Sequence, residues 1–422
     1  MSEPVVYTRE TAVGLRNAIK QIVERTPVTD IHTHLYAPVF GPLLLRGIDE
    51  MLTYHYLVAE YFRYADTSYE TFWAWPKTQQ ADAIWKTLFL DNSPISEACR
   101  GVLTALNLLG FDLASPDLAQ IRREFARLDV EEHVKLVFDA ANIKSAVMTN
   151  DPFDDVECPV WKAGYTPDSR FHAVLRIDPL LNDWEGNCHR LQDAGYNVYQ
   201  RLTSRCIVEV RRFLDDWVKR MNALYMAVSL PPDFVMDDGS ARACLIEEAV
   251  LPVAQANNIP FAMMIGVTRN VNPALKLAGD SLGTASLAPL EYLCATYPKN
   301  KFMVTYLARE NQHAAAVTAR KFRNLLLFGC WWFLNNPSLI EEMTRMRIEL
   351  LGTSIIPQHS DARVLDQAVY KWAHSREIIS RVLRHKYADL LETGWTITED
   401  AIRRDVEKLL GGNFWSFLQR EL

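Results

Sequence analysis

The chain has 422 residues, of which 45 are Lys or Arg and 52 are Asp or Glu, so its formal net charge is −7. With 49% hydrophobic and 23% charged residues, it has the composition of an ordinary globular protein, which excludes a disordered, collagen-like or coiled-coil chain. A mildly acidic chain without a long Lys/Arg run is a poor candidate for nucleic-acid binding, and no apolar stretch is long enough to span a membrane.

The cysteines are typical of a reducing compartment. The 7 cysteines are odd in number and widely spaced, and no Cys-x-x-Cys motif occurs. This pattern predicts neither a disulfide framework nor a thiolate zinc site. The N-terminus is acidic and lacks the apolar core of a signal peptide. We therefore expect a cytoplasmic protein with free thiols.

Short apolar runs rich in β-branched residues alternate with helix-length segments along most of the chain. Eight of these runs have the length of a strand that is buried on both faces. The predicted strands lie at residues 28–34, 145–149, 172–177, 224–229, 261–267, 302–307, 325–328 and 353–360. The helical segments between the later strands lie at 247–257, 289–297, 314–323 and 337–350. This alternation predicts parallel pairing and an α/β fold, a (β/α)8 TIM-type barrel.

Two segments are additional to the strands and helices of a minimal barrel. Residues 36–142, after the first strand, have helical periodicity and no clear strand, which predicts a helical insertion packed over the C-terminal face of the barrel. Residues 376–422 are also mostly helical, with breaks at Gly394 and at Gly411 and Gly412. We expect a single domain over residues 1–422. Apolar residues of the insertion allow self-association into a homo-oligomer.

The sharpest local motif is the sequence Asp-Ile-His-Thr-His at the end of the first predicted strand, which contains His32 and His34. Residues two apart in a strand face the same side, so both imidazoles project toward the barrel mouth, where active sites of such barrels lie. Two neutral imidazoles in this arrangement are suited to a divalent metal ion. The alternative is a pair of structural histidines held by hydrogen bonds in a loop.

A second motif follows the eighth predicted strand and contains Asp361 and Arg363. In a closed barrel the last strand is the neighbour of the first, so Asp361 would lie beside the two histidines. A carboxylate there could complete a metal site or move a proton. The planar guanidinium of Arg363 suits a substrate carboxylate or an oxyanion. The alternative is an exposed loop that carries a salt bridge.

Further candidates lie in the insertion and at two other strand ends. His55 and Tyr56 lie on an apolar helix of the insertion, where a histidine is more often a structural core residue. Arg176 ends the third strand, and a charged residue in that position favours a functional role. Trp331 and Trp332 end the seventh strand. We expect one tryptophan to line a sugar-sized pocket and the other to pack in the core.

The motifs do not favour a binuclear metal site. The predicted fifth and sixth strands contain no histidine, and the fourth contains no lysine that could bridge two metal ions. Two histidines and one aspartate can hold one divalent ion, which we expect to be weakly bound zinc.

From about residue 28 to residue 374 the chain resembles the amidohydrolase superfamily, and within it the uronate isomerase branch, in a divergent, bacillus-type subgroup. The most specific element of the resemblance is Gly-Cys-Trp-Trp-Phe at 329–333. Other matching elements are His55-Tyr56, the turn at 149–154, Arg176-Ile177-Asp178, residues 265–270 and residues 360–363. The resemblance implies a carbohydrate-metabolising enzyme that interconverts aldose and ketose hexuronates through a cis-enediol, converting D-glucuronate to D-fructuronate or D-galacturonate to D-tagaturonate.

The same resemblance implies roles for the candidate residues. The metal-site positions are matched by His32, His34 and Asp361, and the positions that contact substrate or move protons by His55, Tyr56, Arg176 and Arg363. Asp361 or Tyr56 would take the proton from C2, and His55 would assist at the adjacent hydroxyl. One of the two arginines would pair with the uronate carboxylate.

The chain departs from commoner members of the family at three places. Ser229-Leu230-Pro231 replaces Asp-His-Gly, Met264 replaces a histidine, and Ser360-Asp361-Ala362-Arg363 replaces Thr-Asp-Ser-Arg. These differences concern metal dependence and substrate preference. The alternative function is a mononuclear metal-dependent hydrolase or decarboxylase of the same superfamily, with Asp361 as base. A non-catalytic sugar-acid binding protein is a third, less favoured interpretation.

Overall fold

The computed structural model describes residues 5–114 and 117–422 of the chain. Its centre is a curled sheet of 7 parallel strands, in which each barrel strand pairs with the next along the chain. The barrel strands are β1 (Val28–Thr33), β2 (Ile143–Asn150), β3 (Phe171–Arg176), β4 (Met226–Leu230), β5 (Phe261–Ile265), β6 (Phe302–Tyr306) and β7 (Leu325–Leu327). This sheet confirms the predicted α/β class and seven of the predicted strands.

The prediction of a regular eighth strand at residues 353–360 is wrong. An irregular segment closes the barrel there. On one side the backbone of Ile356 bonds to β7 and to Gly329, and on the other side the backbone of Asp361 and Ala362 bonds to β1 and the residue after it. Pro357 has no N–H to donate, and Asp361 has a left-handed φ of 52°, so a continuous ladder cannot form.

Helices cover the outside of the sheet. Because they bury its outer face while side chains fill the inside, strands such as β5 and β6 are buried along their whole length. The helices around the barrel are Leu15–Arg25, Glu157–Lys162, Asp178–Asn182, Trp184–Asp193, Ser204–Met221, Ala241–Leu245, Ile246–Val250, Leu251–Ala256, Ala288–Thr296, Arg309–Asn311, Gln312–Ala319, Trp332–Leu334 and Pro337–Leu351. None of the helices in the described part of the chain combines the length and apolar character needed to cross a membrane.

Between β1 and β2 the chain is helical. The helices of this insertion are Pro38–Leu43, Ile48–Leu52, His55–Tyr61, Tyr69–Ala74, Lys77–Trp85, Lys86–Leu90, Glu97–Leu108, Leu118–Arg127 and Val130–Ala141. Side chains cap several of them, as where Ser96 accepts a hydrogen bond from the N–H of Cys99. Residues 115 and 116 lie outside the described part of the chain.

The C-terminal region begins near the strand ends that carry the site, with the helix Gln367–Glu392, and its last helices close the opposite end of the barrel. Its elements are the helices Gln367–Glu392, Glu399–Glu407, Lys408–Gly412 and Asn413–Gln419, with a short strand Ile397–Thr398 that pairs with Val6–Tyr7. The first helix begins at Gln367, nine residues before the predicted start of this region. From the last helix, Phe414 and Phe417 enter the core inside the barrel, where they pack with Tyr225. We call this end the barrel base.

Candidate active site

A cavity of about 320 Å³ opens at the C-terminal ends of the barrel strands, which we call the barrel mouth. Its size is in the range of sites that bind small molecules. Of the sequence-predicted site residues, it is lined by His32, His34, His55, Arg176, Trp331, Trp332, Asp361 and Arg363. Tyr56 does not line it but lines an adjoining cavity of about 270 Å³, which His55 and Trp332 also border.

Three metal-ligating side chains converge in the main cavity. Nε2 of His34 lies 3.5 Å from Oδ1 of Asp361, and Nε2 of His32 lies 3.9 Å from the same oxygen. All three ligand atoms lie within 4.8 Å of one another. We call His32, His34 and Asp361 the His-His-Asp group. His32 lies in β1, His34 directly follows it, and the irregular closing segment carries the aspartate, as expected for neighbouring segments of a closed barrel.

Hydroxyl groups behind the two imidazoles fix their tautomers. The Tyr225 hydroxyl donates to a backbone carbonyl of β1 at 2.8 Å, so it accepts a hydrogen bond from Nδ1–H of His32 at 3.0 Å. The Thr149 hydroxyl likewise donates to a carbonyl of β1 at 3.0 Å and accepts from Nδ1–H of His34 at 2.8 Å. Both Nε2 atoms therefore present a lone pair to the cavity, as metal-ligating histidines do.

The protonation of the His-His-Asp group suits a divalent cation. Burial lowers the pKa of His32 and of His34, so both rings are neutral at pH 7. Burial alone would raise the pKa of Asp361, but the neighbouring His34 and His32 hold it below its ordinary value, so this carboxylate is ionised. Its Oδ1 is buried and has no hydrogen-bond partner among the described residues. Two lone pairs and an unpartnered carboxylate oxygen form a donor set that fits one divalent metal ion.

The closing segment holds Asp361 in an unusual backbone conformation. Its φ of 52° lies in the left-handed region, which Asp and Asn tolerate better than most residues. Asp30 fixes the segment, because its carboxylate accepts from the N–H of Ser360 at 2.9 Å and from Nε1–H of Trp372 at 2.8 Å. Trp332, on another wall of the cavity, has a φ of 46°. Such strained residues cluster at functional sites.

The helix His55–Tyr61 brings His55 and Tyr56 to the barrel mouth. The His55 ring lies 5.4 Å from the Trp332 ring and 4.4 Å from the Tyr56 ring. Burial lowers the pKa of His55 to about 3 and raises that of Tyr56 well above its ordinary value, so both are neutral. Nε2 of His55 and the Tyr56 hydroxyl are buried without a hydrogen-bond partner in the described chain.

Arg176 forms an ion pair with a carboxylate, whereas Arg363 forms none with a described residue. Arg176 ends β3 and forms a two-point ion pair with Asp178, with N–O distances of 2.8 and 3.1 Å. Arg363 is exposed, lines the cavity and forms no ion pair with a described residue. Its charge is therefore available to a ligand.

Both tryptophans line the cavity, whereas the sequence led us to expect only one. Trp331, 4% exposed, also belongs to the core inside the barrel. Trp332 stacks on Phe333 at 4.7 Å and has no partner for its Nε1–H among the described residues. Met264 and Ser229, at two positions where the sequence departs from commoner family members, line the same cavity.

Sequence reasoning missed several residues of the site. Tyr225 lies in an apolar run directly before β4, so its pattern is that of a core residue. Arg269 and Asp280 lie in a loop after β5 and line the cavity, but only a turn pattern marks that loop. Lys371 is 3% exposed, its Nζ lies 5.6 Å from the centre of the Tyr56 ring, and it has no hydrogen-bond partner among the described residues. A single lysine in a helix carries no signal for such a role.

Known structures resemble this chain over nearly its whole length. A uronate isomerase from Bacillus halodurans C-125 is 57% identical, covers 96% of each chain and superposes with a TM-score of 0.95. A uronate isomerase from Thermotoga maritima (16% identity, 98% of each chain, TM-score 0.76) and a glucuronate isomerase from Caulobacter crescentus (14% identity, 99% of this chain and 97% of the other, TM-score 0.69) share the fold. No protein-family model and no curated protein matches the chain.

The barrel and its His-His-Asp group define an α/β-barrel enzyme with a site suited to a metal ion at its mouth. At 57% identity over 96% of its length to a uronate isomerase, the chain belongs to the uronate isomerase family, and it is an isomerase. The resemblance inferred from the sequence is thereby confirmed.

Proposed function

We propose that this enzyme interconverts D-glucuronate and D-fructuronate, D-galacturonate and D-tagaturonate, or both pairs, by moving a proton between C2 and C1 through a cis-enediol. One observation carries the proposal: a chain 57% identical to a uronate isomerase brings His32, His34 and the unpartnered Asp361 oxygen together in a cavity that suits a small molecule. The substrate is a small sugar acid, and neither nucleic acid nor membrane is a partner.

The reaction needs a base beside C2, groups that bind the oxygens at C1 and C2, and compensation for negative charge. Asp361 and Tyr56 are the two candidates for the base. The position of Asp361 supports Asp361 as the base, because this residue lines the main cavity whereas Tyr56 lines only the adjoining one of these two cavities. His55 borders both cavities and is proposed to exchange a proton with the neighbouring substrate hydroxyl.

His32, His34 and Asp361 are proposed to hold one divalent metal ion, zinc, which three protein ligands would bind weakly. When bound, such an ion polarises the substrate oxygens and favours negative charge on them. Tyr225 and Thr149 orient the imidazoles for this purpose.

Arg176, Arg363, Trp331 and Trp332 are the proposed substrate contacts. Arg363 lines the cavity and forms no ion pair with a described residue, so its guanidinium can pair with negative charge on the substrate. Arg176 is fixed by Asp178 and presents its remaining N–H groups. The two indole rings offer apolar surface to the faces of the sugar carbons.

The alternative, a metal-dependent hydrolase or decarboxylase, is not favoured by the comparisons. It makes a distinct chemical prediction, because hydrolysis adds an oxygen atom from water whereas isomerisation leaves the mass of the substrate unchanged. Mass spectrometry of products formed in ¹⁸O-labelled water separates the two reactions once exchange at the aldehyde is corrected for with a blank.

A proton NMR time course with D-glucuronate and, separately, D-galacturonate tests the proposed reaction. We expect the signals of the keto-uronate to appear with at least one substrate, and the faster one identifies the preferred epimer. The reaction is followed with and without added zinc. If neither uronate changes in the presence of folded, zinc-supplemented protein, the proposed function is wrong.

We further propose that the enzyme is cytoplasmic and forms one domain over residues 1–422. All 7 cysteines are free thiols, and several, such as Cys206 and Cys294, are buried, which fits a reducing compartment. The helical insertion supports the single domain, because its side chains belong to the same apolar core as those of the barrel helices.

A further inference from the structure

We infer that a second cavity, at the barrel base, binds an organic phosphate: cationic side chains take the phosphate group and an apolar wall takes the carbon skeleton. We call it the basal cavity. Its volume is about 450 Å³, compared with about 320 Å³ at the mouth, and lies in the range of sites that bind small molecules. The inference goes beyond the proposed function and does not depend on it.

The basal cavity lies beside the loop that enters β7 and the last helix of the chain. Its apolar wall consists of β7, of Leu350 and Leu351 at the end of the helix Pro337–Leu351, and of Phe417. No residue lines both this cavity and the one that contains the His-His-Asp group. The two sites are therefore separate, one at each end of the barrel.

Four exposed cationic side chains line the basal cavity, namely Arg320, Lys321, Arg323 and Arg420. None of the four forms an ion pair with a residue that the structure describes. The formal net charge of the chain is −7, so this concentration of positive charge is opposite in sign to the charge of the whole molecule. A concave surface of one charge attracts a ligand of the other.

Two of the guanidinium groups are held by backbone carbonyls. Nη1–H of Arg420 donates to the carbonyl of Arg323 at 2.7 Å, and Nη2–H of Arg323 donates to the carbonyl of Glu421 at 3.4 Å. These contacts connect the loop before β7 to the C-terminal residues. A carbonyl has no net charge, so both guanidinium groups keep their full charge and lose little conformational freedom when they bind an anion.

The chemistry of the lining favours a phosphate ester over a simple carboxylate. A phosphate ester carries about 1.5 to 2 negative charges at pH 7 and three acceptor oxygens, which can use several cations at once. The exposed hydroxyl of Ser416 adds a neutral donor. Inorganic phosphate would leave the apolar wall at Leu350, Leu351 and Phe417 unused, so the carbon skeleton of an organic phosphate adds to binding.

Calorimetric titration of the full chain at about 0.15 M salt tests the inference. The probes are inorganic phosphate, adenosine 5′-monophosphate, glucose 6-phosphate and, as the uncharged control, adenosine. The first variant is Arg320→Gln/Lys321→Gln, because both side chains are exposed and make no side-chain hydrogen bond to a described residue. The second variant, Ser416→Trp, fills the cavity without changing its charge.

Two further variants serve as controls. Lys162→Gln/Arg201→Gln removes the same two charges from exposed positions that have no ion pair with a described residue and line neither cavity. Arg363→Met removes the unpaired cation of the mouth, where a phosphate could also bind. Thermal unfolding without ligand establishes that each variant is folded before it is titrated.

We expect at least one organic phosphate to bind the wild type with a Kd below about 1 mM, and more tightly than inorganic phosphate or adenosine. Arg320→Gln/Lys321→Gln should weaken this binding about 10- to 100-fold, and Ser416→Trp should weaken it to a similar extent. Both controls should bind as the wild type does. The comparison of the two esters identifies whether a nucleotide or a sugar phosphate is the preferred source of the phosphate.

The inference is overturned if neither ester binds, or if Lys162→Gln/Arg201→Gln weakens binding as much as Arg320→Gln/Lys321→Gln does. Loss of binding in Arg363→Met alone would place the phosphate at the mouth and would also overturn it. Failure of the proposed function is recognised separately, because isomerisation of the uronates is not measured in these titrations.

Discussion

The buried polar groups beside the core of the base and those at the mouth of the barrel differ in their hydrogen bonding. At the base, Phe414 and Phe417 fill the core, and two polar side chains near them are hydrogen-bonded. Nε1–H of Trp415 donates to Thr29 at 3.1 Å, and Nζ of Lys301 donates to two backbone carbonyls.

At the mouth, buried polar atoms of His55, Tyr56, Trp332, Asp361 and Lys371 have no partner among the described residues. Two of these residues, Trp332 and Asp361, also have left-handed backbone conformations. Unpartnered buried groups and strained residues both cost free energy. The comparison shows that the base stabilises the fold, whereas the mouth retains unfavourable groups that a substrate and a metal ion can satisfy.

The substitution Asp361→Asn has the largest expected effect on activity and tests whether the polar groups of the mouth serve catalysis. The change removes the charge of the proposed base and metal ligand, while Asn tolerates the left-handed φ. We expect kcat to fall about 10²–10⁴-fold in a protein that remains folded. Isomerase assays and thermal unfolding on the same preparation measure both. A large loss of stability would instead assign Asp361 a structural role.

Phe414→Ala tests whether the base contributes to stability and not to turnover. Phe414 is fully buried, so its truncation should lower the free energy of unfolding by about 3–5 kcal/mol. Turnover per folded molecule should stay unchanged, because the residue is at the far end of the barrel from the cavity. Urea unfolding and an assay at low temperature check the two parts. Loss of turnover in fully folded protein would show that the base and the active site are energetically coupled.

Glu157 sharpens the comparison, because it is a buried carboxylate on the mouth side with a full set of donors. It accepts from Trp161 at 2.9 Å, Tyr36 at 3.1 Å and the N–H of Asp151 at 3.0 Å, yet burial raises its pKa to about 7. Since this pKa is raised on folding, the stability linked to the bound proton is complete below about pH 4.5 and is lost as pH rises through 7.

The free energy of unfolding of the wild type should therefore fall relative to that of Glu157→Gln, by up to about 3 kcal/mol, between pH 5 and about pH 8. Urea unfolding of both proteins across this range measures the difference. A constant difference would mean that Glu157 remains ionised throughout.

Two buried lysines, one at the mouth and one at the base, test the smallest expected differences in stability and activity. Lys371→Met at the mouth removes an unpaired amine, so we expect unchanged or higher stability together with a kcat reduced about tenfold, because one charge near Tyr56 is lost. Lys301→Met at the base, the matched control, should lower the free energy of unfolding by about 1–3 kcal/mol and leave kcat unchanged. Equal effects of the two changes on stability would contradict the contrast between the two ends.

Much of the fold could be predicted because the buried strands leave a simple pattern. β5 and β6 are continuous apolar runs, and helices of the expected length follow them. The prediction of a regular eighth strand was wrong because it followed the apolar run at 355–356, although Pro357 in the same run is a signal against a continuous ladder. The pairing of the closing segment depends on contacts with both neighbours, which only the closed barrel provides.

The residues of the site could be predicted where strand alternation or closure of the barrel determines which side chains lie together. Alternation in β1 places His32 and His34 together, and closure places Asp361 beside them. Tyr225 and Lys371 could not be predicted, because each acts through a contact with a residue distant in sequence. Neither residue type has a local pattern that separates such a role from core packing.

The most direct test of the account is the isomerase activity of the His32→Ala/Asp361→Ala double variant on D-glucuronate and D-galacturonate, followed by proton NMR. The protein must unfold at the temperature of the wild type or above. The account predicts that turnover falls to the background rate while the fold persists. Full activity in this variant would mean that the active site lies elsewhere in the chain.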